Sequence, residues 1–172
     1  MQLTGTRVIS APRDVVWAAL NDPDALKACI PGCTELTKTS ETSFEATVKQ
    51  KVGPVSATFR GAVELSEINA PESYRISGEG KGGAAGFAKG GANVRLEEVE
   101  GGTSLAYDVD AKVGGKIAQL GARLIDGFAK KMADQFFTTF QKVVEGDPEG
   151  EEPPPDDAPA EEKKSWLKRL TG

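Results

Sequence analysis

Few residues in this chain can do chemistry, and type or spacing disqualifies most of them. The sequence has no histidine, which removes the commonest general base near neutral pH and the commonest metal ligand. Cys29 and Cys33 are the two cysteines. Their spacing is not CxxC, they make no disulfide framework, and two thiolates cannot close a tetrahedral zinc site. They read as a buried thiol and a turn thiol beside Pro31-Gly32. Gly78-x-Gly80-x-x-Gly83 has the letters of a dinucleotide fingerprint, but no amphipathic helix follows it and no parallel βαβ unit surrounds it. Lys81 is not followed by Ser or Thr, so there is no phosphate-cradling loop either. Glu45, Glu64, Asp108 and Asp110 fall on the polar register of alternating segments, and nothing converges two of them on a substrate. Tyr74 and Tyr107 remain as proton carriers, yet tyrosine in an alternating run is better explained by strand packing. A binding protein is favoured over an enzyme.

The elements that would position a binding site follow from hydrophobic periodicity. Between Gly115 and Val144, apolar residues recur at Ile117, Leu120, Leu124, Phe128, Met132, Phe136, Phe140 and Val143. Every step is three or four residues, which predicts one uninterrupted helix, roughly 45 Å long at about 1.5 Å per residue. Gly114-Gly115 punctuates its start, and Gly146 followed by Pro148 stops it. At the other end of the chain, residues 2–10 read as a strand. Ser10 is then placed to cap a short helix with Pro12 in its first turn. That helix carries Val15, Val16, Trp17, Ala19 and Leu20. Asn21 or Asp22 caps a second helix starting at Pro23, which Pro31-Gly32 ends.

From Phe44 the period changes to two. Phe44, Ala46 and Val48 alternate with polar residues, and Gly53-Pro54 turns the chain into a long run from Val55 to Leu65. Ala70-Pro71 leads to Tyr74, Ile76 and Gly78, a glycine-rich passage leads to Val94 and Leu96, and Gly101-Gly102 leads to Leu105, Tyr107, Val109 and Ala111. Short turns between alternating runs predict an antiparallel meander with one buried face. The fold class is α+β: a strand, two short helices, about six further strands, then one long helix that must cover the sheet. Glycine sits at 61, 78, 80, 86, 90 and 91 within or beside the strands, and the chain has only seven Phe and two Trp. Glycine permits bending but leaves space unfilled, so the expectation is a curved sheet with an apolar cavity beneath the helix. Its expected lining is Phe44, Val48, Phe59, Val63, Ile76, Phe87, Leu96 and Tyr107, facing Leu120, Leu124 and Phe128.

Net charge is −5, but it is unevenly placed. Residues 1–144 hold 17 bases and 17 acids, a neutral body without the basic footprint of a nucleic-acid binder. Residues 145–162 are acidic and proline-rich, a composition that stays extended and serves as a linker. Residues 163–172 reverse character. In a helix Trp166, Leu167 and Leu170 share a face flanked by Lys163, Lys164, Lys168 and Arg169, which suits docking on an anionic membrane. The opening MQLTGTRVIS lacks a signal peptide's apolar core. The expected location is therefore cytoplasmic, peripheral on the inner face of the membrane.

Three blocks carry a resemblance: SAPRDVVWAALNDPDALKACIPGCTEL (10–36), GEGKGGAAGFAKGGANVRL (78–96) and GGKIAQLGARLIDGFAKKMADQFF (114–137). With the order of elements they resemble the CoxG family of carbon monoxide dehydrogenase subunits, within the START-like (SRPBCC) helix-grip superfamily. The resemblance covers about residues 1–145. It implies a helix-grip domain over 1–144 acting as an accessory to a molybdenum carbon monoxide dehydrogenase or a related respiratory oxidoreductase. It also implies no covalent cofactor and a cavity suited to a lipid such as an isoprenoid quinone. Two alternatives go with it: a cyclase- or hydratase-like enzyme working through Tyr74 or Tyr107, and a membrane-recruitment module with a filled core.

Overall fold

A computed structural model describes residues 1–146. The linker beyond residue 146 and the proposed docking segment at 163–172 lie outside the described residues. The strands are β1 (Gln2–Ile9), β2 (Cys33–Lys38), β3 (Ser43–Val52), β4 (Val55–Asn69), β5 (Ser73–Lys81), β6 (Phe87–Val99) and β7 (Gly102–Gly114). The helices are α1 (Arg13–Leu20), α2 (Pro23–Cys29) and α3 (Ala122–Glu145). All seven strands form one antiparallel, curved sheet in the order β1-β7-β6-β5-β4-β3-β2. The meander from β2 to β7 is joined by local turns, and β1 closes on β7 from the far end of the sequence.

Two local expectations change. Asp22 caps α2 as its sequence suggests, its Oδ1 accepting from the Asp24 N–H at 3.0 Å. Ser10, by contrast, does not cap α1. Pro12 takes the N-cap position in an extended conformation, and the Ser10 N–H donates instead to Glu145 Oε1 at 2.6 Å. That bond ties the start of α1 to the end of α3.

The uninterrupted helix from Gly115 is also corrected. Lys116–Leu120 form a 3-10 turn, and α3 begins only at Ala122. Gly115 and Gly121 flank the turn at φ 80° and 93°, values that side-chain-bearing residues avoid and that no helix contains. Periodicity could not separate the two cases, because Ile117 and Leu120 face inward in either geometry. Packing decides: Ile117 is buried against Val52 and Ala85, closing one end of the sheet. The remaining helix is about 36 Å long at 1.5 Å per residue.

The hydrophobic interior is divided. The larger cluster joins Ile9, Val16, Leu20, Cys29, Phe44, Leu65, Tyr74, Leu96, Leu105, Phe137 and Phe140, so it lies under the C-terminal half of α3 and the two short helices. The smaller one gathers Val52, Ala85 and Ile117, with Phe59, Val113, Leu120 and Phe128 packed on it. The N-terminal half of α3 has no buried residue; the helix's buried positions, Phe137 and Phe140, lie in its C-terminal half.

Candidate functional site

Between the two clusters the concave face of the sheet is bare. Cross-strand partners there are Ala46 with Gly61, Gly61 with Gly80, Gly80 with Ala88, Gly78 with Gly90, and Gly90 with Ala111. Five adjacent strands thus present no atom beyond a Cβ along one stripe; above Gly80 the space is empty, while the Val63 side chain lies over Gly78. A cavity of about 320 Å³ results, walled by Phe44, Val48, Phe59, Val63, Ile76 and Val109. Val63 shows the effect. It lies on the inner register between its partner Phe44, 3% exposed, and Leu65, 7% exposed, yet is itself 37% exposed.

A larger depression, about 430 Å³, lies on the convex face and is bordered by Glu35, Glu45, Arg60, Glu79 and Lys81. Water solvates such charged walls well, so an apolar ligand gains little there. The smaller, apolar cavity is the candidate site.

Of the residues expected to line it, Phe44, Val48, Phe59, Val63 and Ile76 do so. The others lie elsewhere. Phe87 is on the convex register with Lys89 and rests over Gly114, 42% exposed. Leu96 is part of the larger buried cluster. Tyr107 stacks on Phe137 with ring centroids 4.9 Å apart and covers Gly5. Leu120 and Phe128 pack in the smaller cluster, and Leu124 lies beside Gly53, 42% exposed. No α3 residue borders the cavity. Sequence reasoning named the large side chains and missed the floor residues Ala46, Ala88, Ala92 and Ala111. Their signal was present: small residues repeated at inner-register positions on consecutive strands.

The titratable groups near the interior are inert. Tyr74 is 4% exposed and meets Trp17 edge-on at 5.2 Å, and burial pushes its hydroxyl pKa well up. Burial likewise pushes the Cys29 thiol up to about 11. The Cys33 thiol is raised by partial desolvation, against the opposing effects of its bond to the Glu35 carbonyl at 3.3 Å and of Lys27. Neither thiol has the low pKa of a nucleophile. Arg7 points to the helix side, pairs with Asp134 and lies 5.5 Å from the Phe137 ring centroid. Among the described residues no cluster of His, Cys, Asp and Glu can hold a metal ion.

The model of the CoxG family, the G subunits of carbon monoxide dehydrogenase, matches residues 5–145. The chain belongs to the CoxG family. Among solved structures, a conserved protein from Geobacillus kaustophilus is 30% identical, with 84% of this chain and 95% of that one covered at a TM-score of 0.78. A protein from Chromobacterium violaceum is 16% identical over 85% of this chain and 99% of that one, at a TM-score of 0.64. A START superfamily protein from Mycobacterium smegmatis is 13% identical over 84% of this chain and 97% of its own, also at 0.64. The last two show the fold, which is START-like. No curated protein matches the chain. CoxG membership suggests an accessory protein. Among the described residues no helix is long and apolar enough to cross a membrane.

Proposed function

We propose that this CoxG-family protein carries an apolar lipid, such as an isoprenoid quinone, for a molybdenum carbon monoxide dehydrogenase or a related respiratory oxidoreductase. The observation that carries the reading is the side-chain-free stripe on the concave face and the apolar cavity above it. An unfilled apolar space of this size forfeits packing energy in the free protein, and a ligand would restore it. About 320 Å³ is roughly ten water volumes. That suits a ring-sized head group, with a long tail leaving through the open side.

The supply route would be the cytoplasmic membrane. The acidic residues 147–162, past the end of α3, would act as a tether reaching roughly 50 Å at about 3.1 Å per residue, and Trp166, Leu167 and Leu170 with four flanking bases would hold its end on anionic lipid. The cyclase-like alternative is less well supported, because neither Tyr74 nor Tyr107 borders the cavity. A filled-core recruitment module fits poorly with the cavity itself.

Mass spectrometry of an organic extract from the purified protein tests the carrier reading. It should yield a long hydrophobe in near-stoichiometric amount, and the loaded protein should melt higher by mass action. An extract without lipid or quinone, from cells rich in both, would sink it. Shortening the linker to about five residues should leave vesicle attachment intact while partner-dependent quinone reduction falls.

A further inference from the structure

The body is neutral overall, but its charges are sorted along the strand direction. Three connections meet at one end of the sheet: the β3–β4 hairpin at Gly53-Pro54, the β5–β6 connection at 82–86, and the passage from β7 into α3 at 115–121. No carboxylate occurs between Glu45 and Glu64, between Glu79 and Glu97, or between Asp110 and Asp126. Those three stretches contain all three connections; the chain start, Met1 and Gln2 beside Asp110 and Ala111, and the start of β2 at Cys33 border the same end. Its cations Lys49, Lys51, Lys81, Lys112, Lys116 and Arg123 are all exposed. Of these six, only Lys81 has a carboxylate within salt-bridge reach among the described residues, Glu79 at 3.9 Å.

The opposite end is the reverse. No base occurs between Lys38 and Lys49, between Arg60 and Arg75, or between Arg95 and Lys112. Its turns and the strand ends beside them expose Glu41, Glu67, Glu72, Glu97, Glu98 and Glu100, with Arg13 paired to Glu98 at 3.7 Å. The molecule is thus an electric dipole, and the amino end of α3 adds its own positive pole to the basic end.

Two large apolar side chains break the surface among the basic end's cations. Phe87, where the β5–β6 connection enters β6, and Leu124, in the first turn of α3 beside Gly53, are each 42% exposed. The connections at 53–54 and 82–86 are built from Gly, Ala and Pro alone. Lysine stems can lie along such a surface while their heads reach phosphates, and Phe and Leu suit the interfacial layer. A docking site for an acidic protein would use the same cations around a packed apolar core; two apolar side chains on different elements, β6 and α3, suit insertion into lipid better.

We propose that this basic end of the folded body is a membrane-docking surface for anionic phospholipid, separate from the C-terminal segment. Docking there would set the smaller cluster, Val52, Ala85 and Ile117 with the side chains packed on it, between the cavity and the bilayer. The purpose of the contact rests on the proposed carrier role; the contact itself does not.

The test uses the full-length chain with Trp166→Ser and Leu170→Ser, which weaken the tail. Partition is measured onto phosphatidylglycerol/phosphatidylcholine vesicles and onto pure phosphatidylcholine. Residual binding should require the anionic lipid and fall with salt. Adding Lys51→Gln and Lys116→Gln should weaken it about 25-fold, at about fivefold per cation. Leu124→Ser should weaken it at high and low salt alike. Glu97→Gln with Glu100→Gln, at the other end, should not weaken it. Absence of residual anionic-vesicle binding, or binding indifferent to Lys51 and Lys116, overturns the proposal. Lipid extraction of the same proteins reads the cavity independently, so vesicle binding without a cavity ligand refutes only the carrier role.

Discussion

Replacing Gly80 by leucine is the most direct test of the empty stripe. Gly80 lies on the floor of the cavity, and a Cβ built there meets no atom within 4 Å. Its φ is not in the positive region, so a side chain introduces no backbone strain. A leucine side chain occupies roughly 100 Å³ at interior packing density, about a third of the 320 Å³ available. Covering its apolar surface contributes up to about 1.5–3 kcal/mol. Removing a strand glycine adds about 0.5–1 kcal/mol. The ligand-free variant should therefore be more stable by about 1–3 kcal/mol, raising Tm by about 2–4 °C per kcal/mol in a body of this size. The same substitution should cut the amount of co-purifying hydrophobe severalfold, because the ligand loses the space the leucine takes. Thermal melts of delipidated protein and mass spectrometry of extracts read the two effects separately. Destabilisation beyond about 1 kcal/mol would mean the space is already occupied by protein, and unchanged hydrophobe content would mean the ligand binds elsewhere. Gly90→Ala is the contrast. Its Cβ would press on the Asp110 carbonyl and the Ala111 Cα, so that variant should lose stability.

Three further outcomes follow from the buried polar groups and the thiols. Thr103 is fully buried, and its hydroxyl donates to the Ala11 carbonyl at 2.7 Å, pinning β7 to the start of α1. Thr103→Val keeps the shape but strands that carbonyl, and urea unfolding should report a loss of about 1–3 kcal/mol. Cys29 has its folded pKa raised from 9.0 to about 11, and Tyr74 is raised in the same direction. Both are held neutral by burial, so their contribution to stability is complete below their unfolded pKa values and is lost as pH rises through the folded ones. Denaturation midpoints should therefore fall as pH climbs from about 9 to 11, and Cys29→Ala should flatten the early part of that slope. At about pH 8, below the ordinary thiol pKa, a thiol reagent should modify Cys33 in the native protein well before Cys29, which is 2% exposed.

Local chemistry made much of the molecule legible in the sequence. The period-two runs ended by Gly53-Pro54, Ala70-Pro71 and Gly101-Gly102 mark hairpins whichever partners they find, and Asp22 before Pro23 caps a helix by its own side chain. The absence of histidine and the poor company of every carboxylate could also be read without coordinates. What the sequence left open was decided by long-range contact. The apolar stripe runs unbroken past Gly121 and predicts one long helix, whereas the packing of Ile117 on Val52 and Ala85 starts α3 only after Gly121. Phe87 and Leu96 were both expected to face the cavity, although nine positions separate them. In an unbroken strand an odd separation places two residues on opposite faces, and the register of β6 with β7 puts Leu96 in the core and Phe87 outside. The cavity is likewise a tertiary fact. Each glycine is only a missing side chain in its own strand; the gap exists because pairing aligns Gly61, Gly80 and Gly90 across the sheet while α3 buries its Phe137 and Phe140 further along. The charge asymmetry has the same origin. Lysines scattered through the chain become one surface only because an antiparallel meander returns every second turn to the same end.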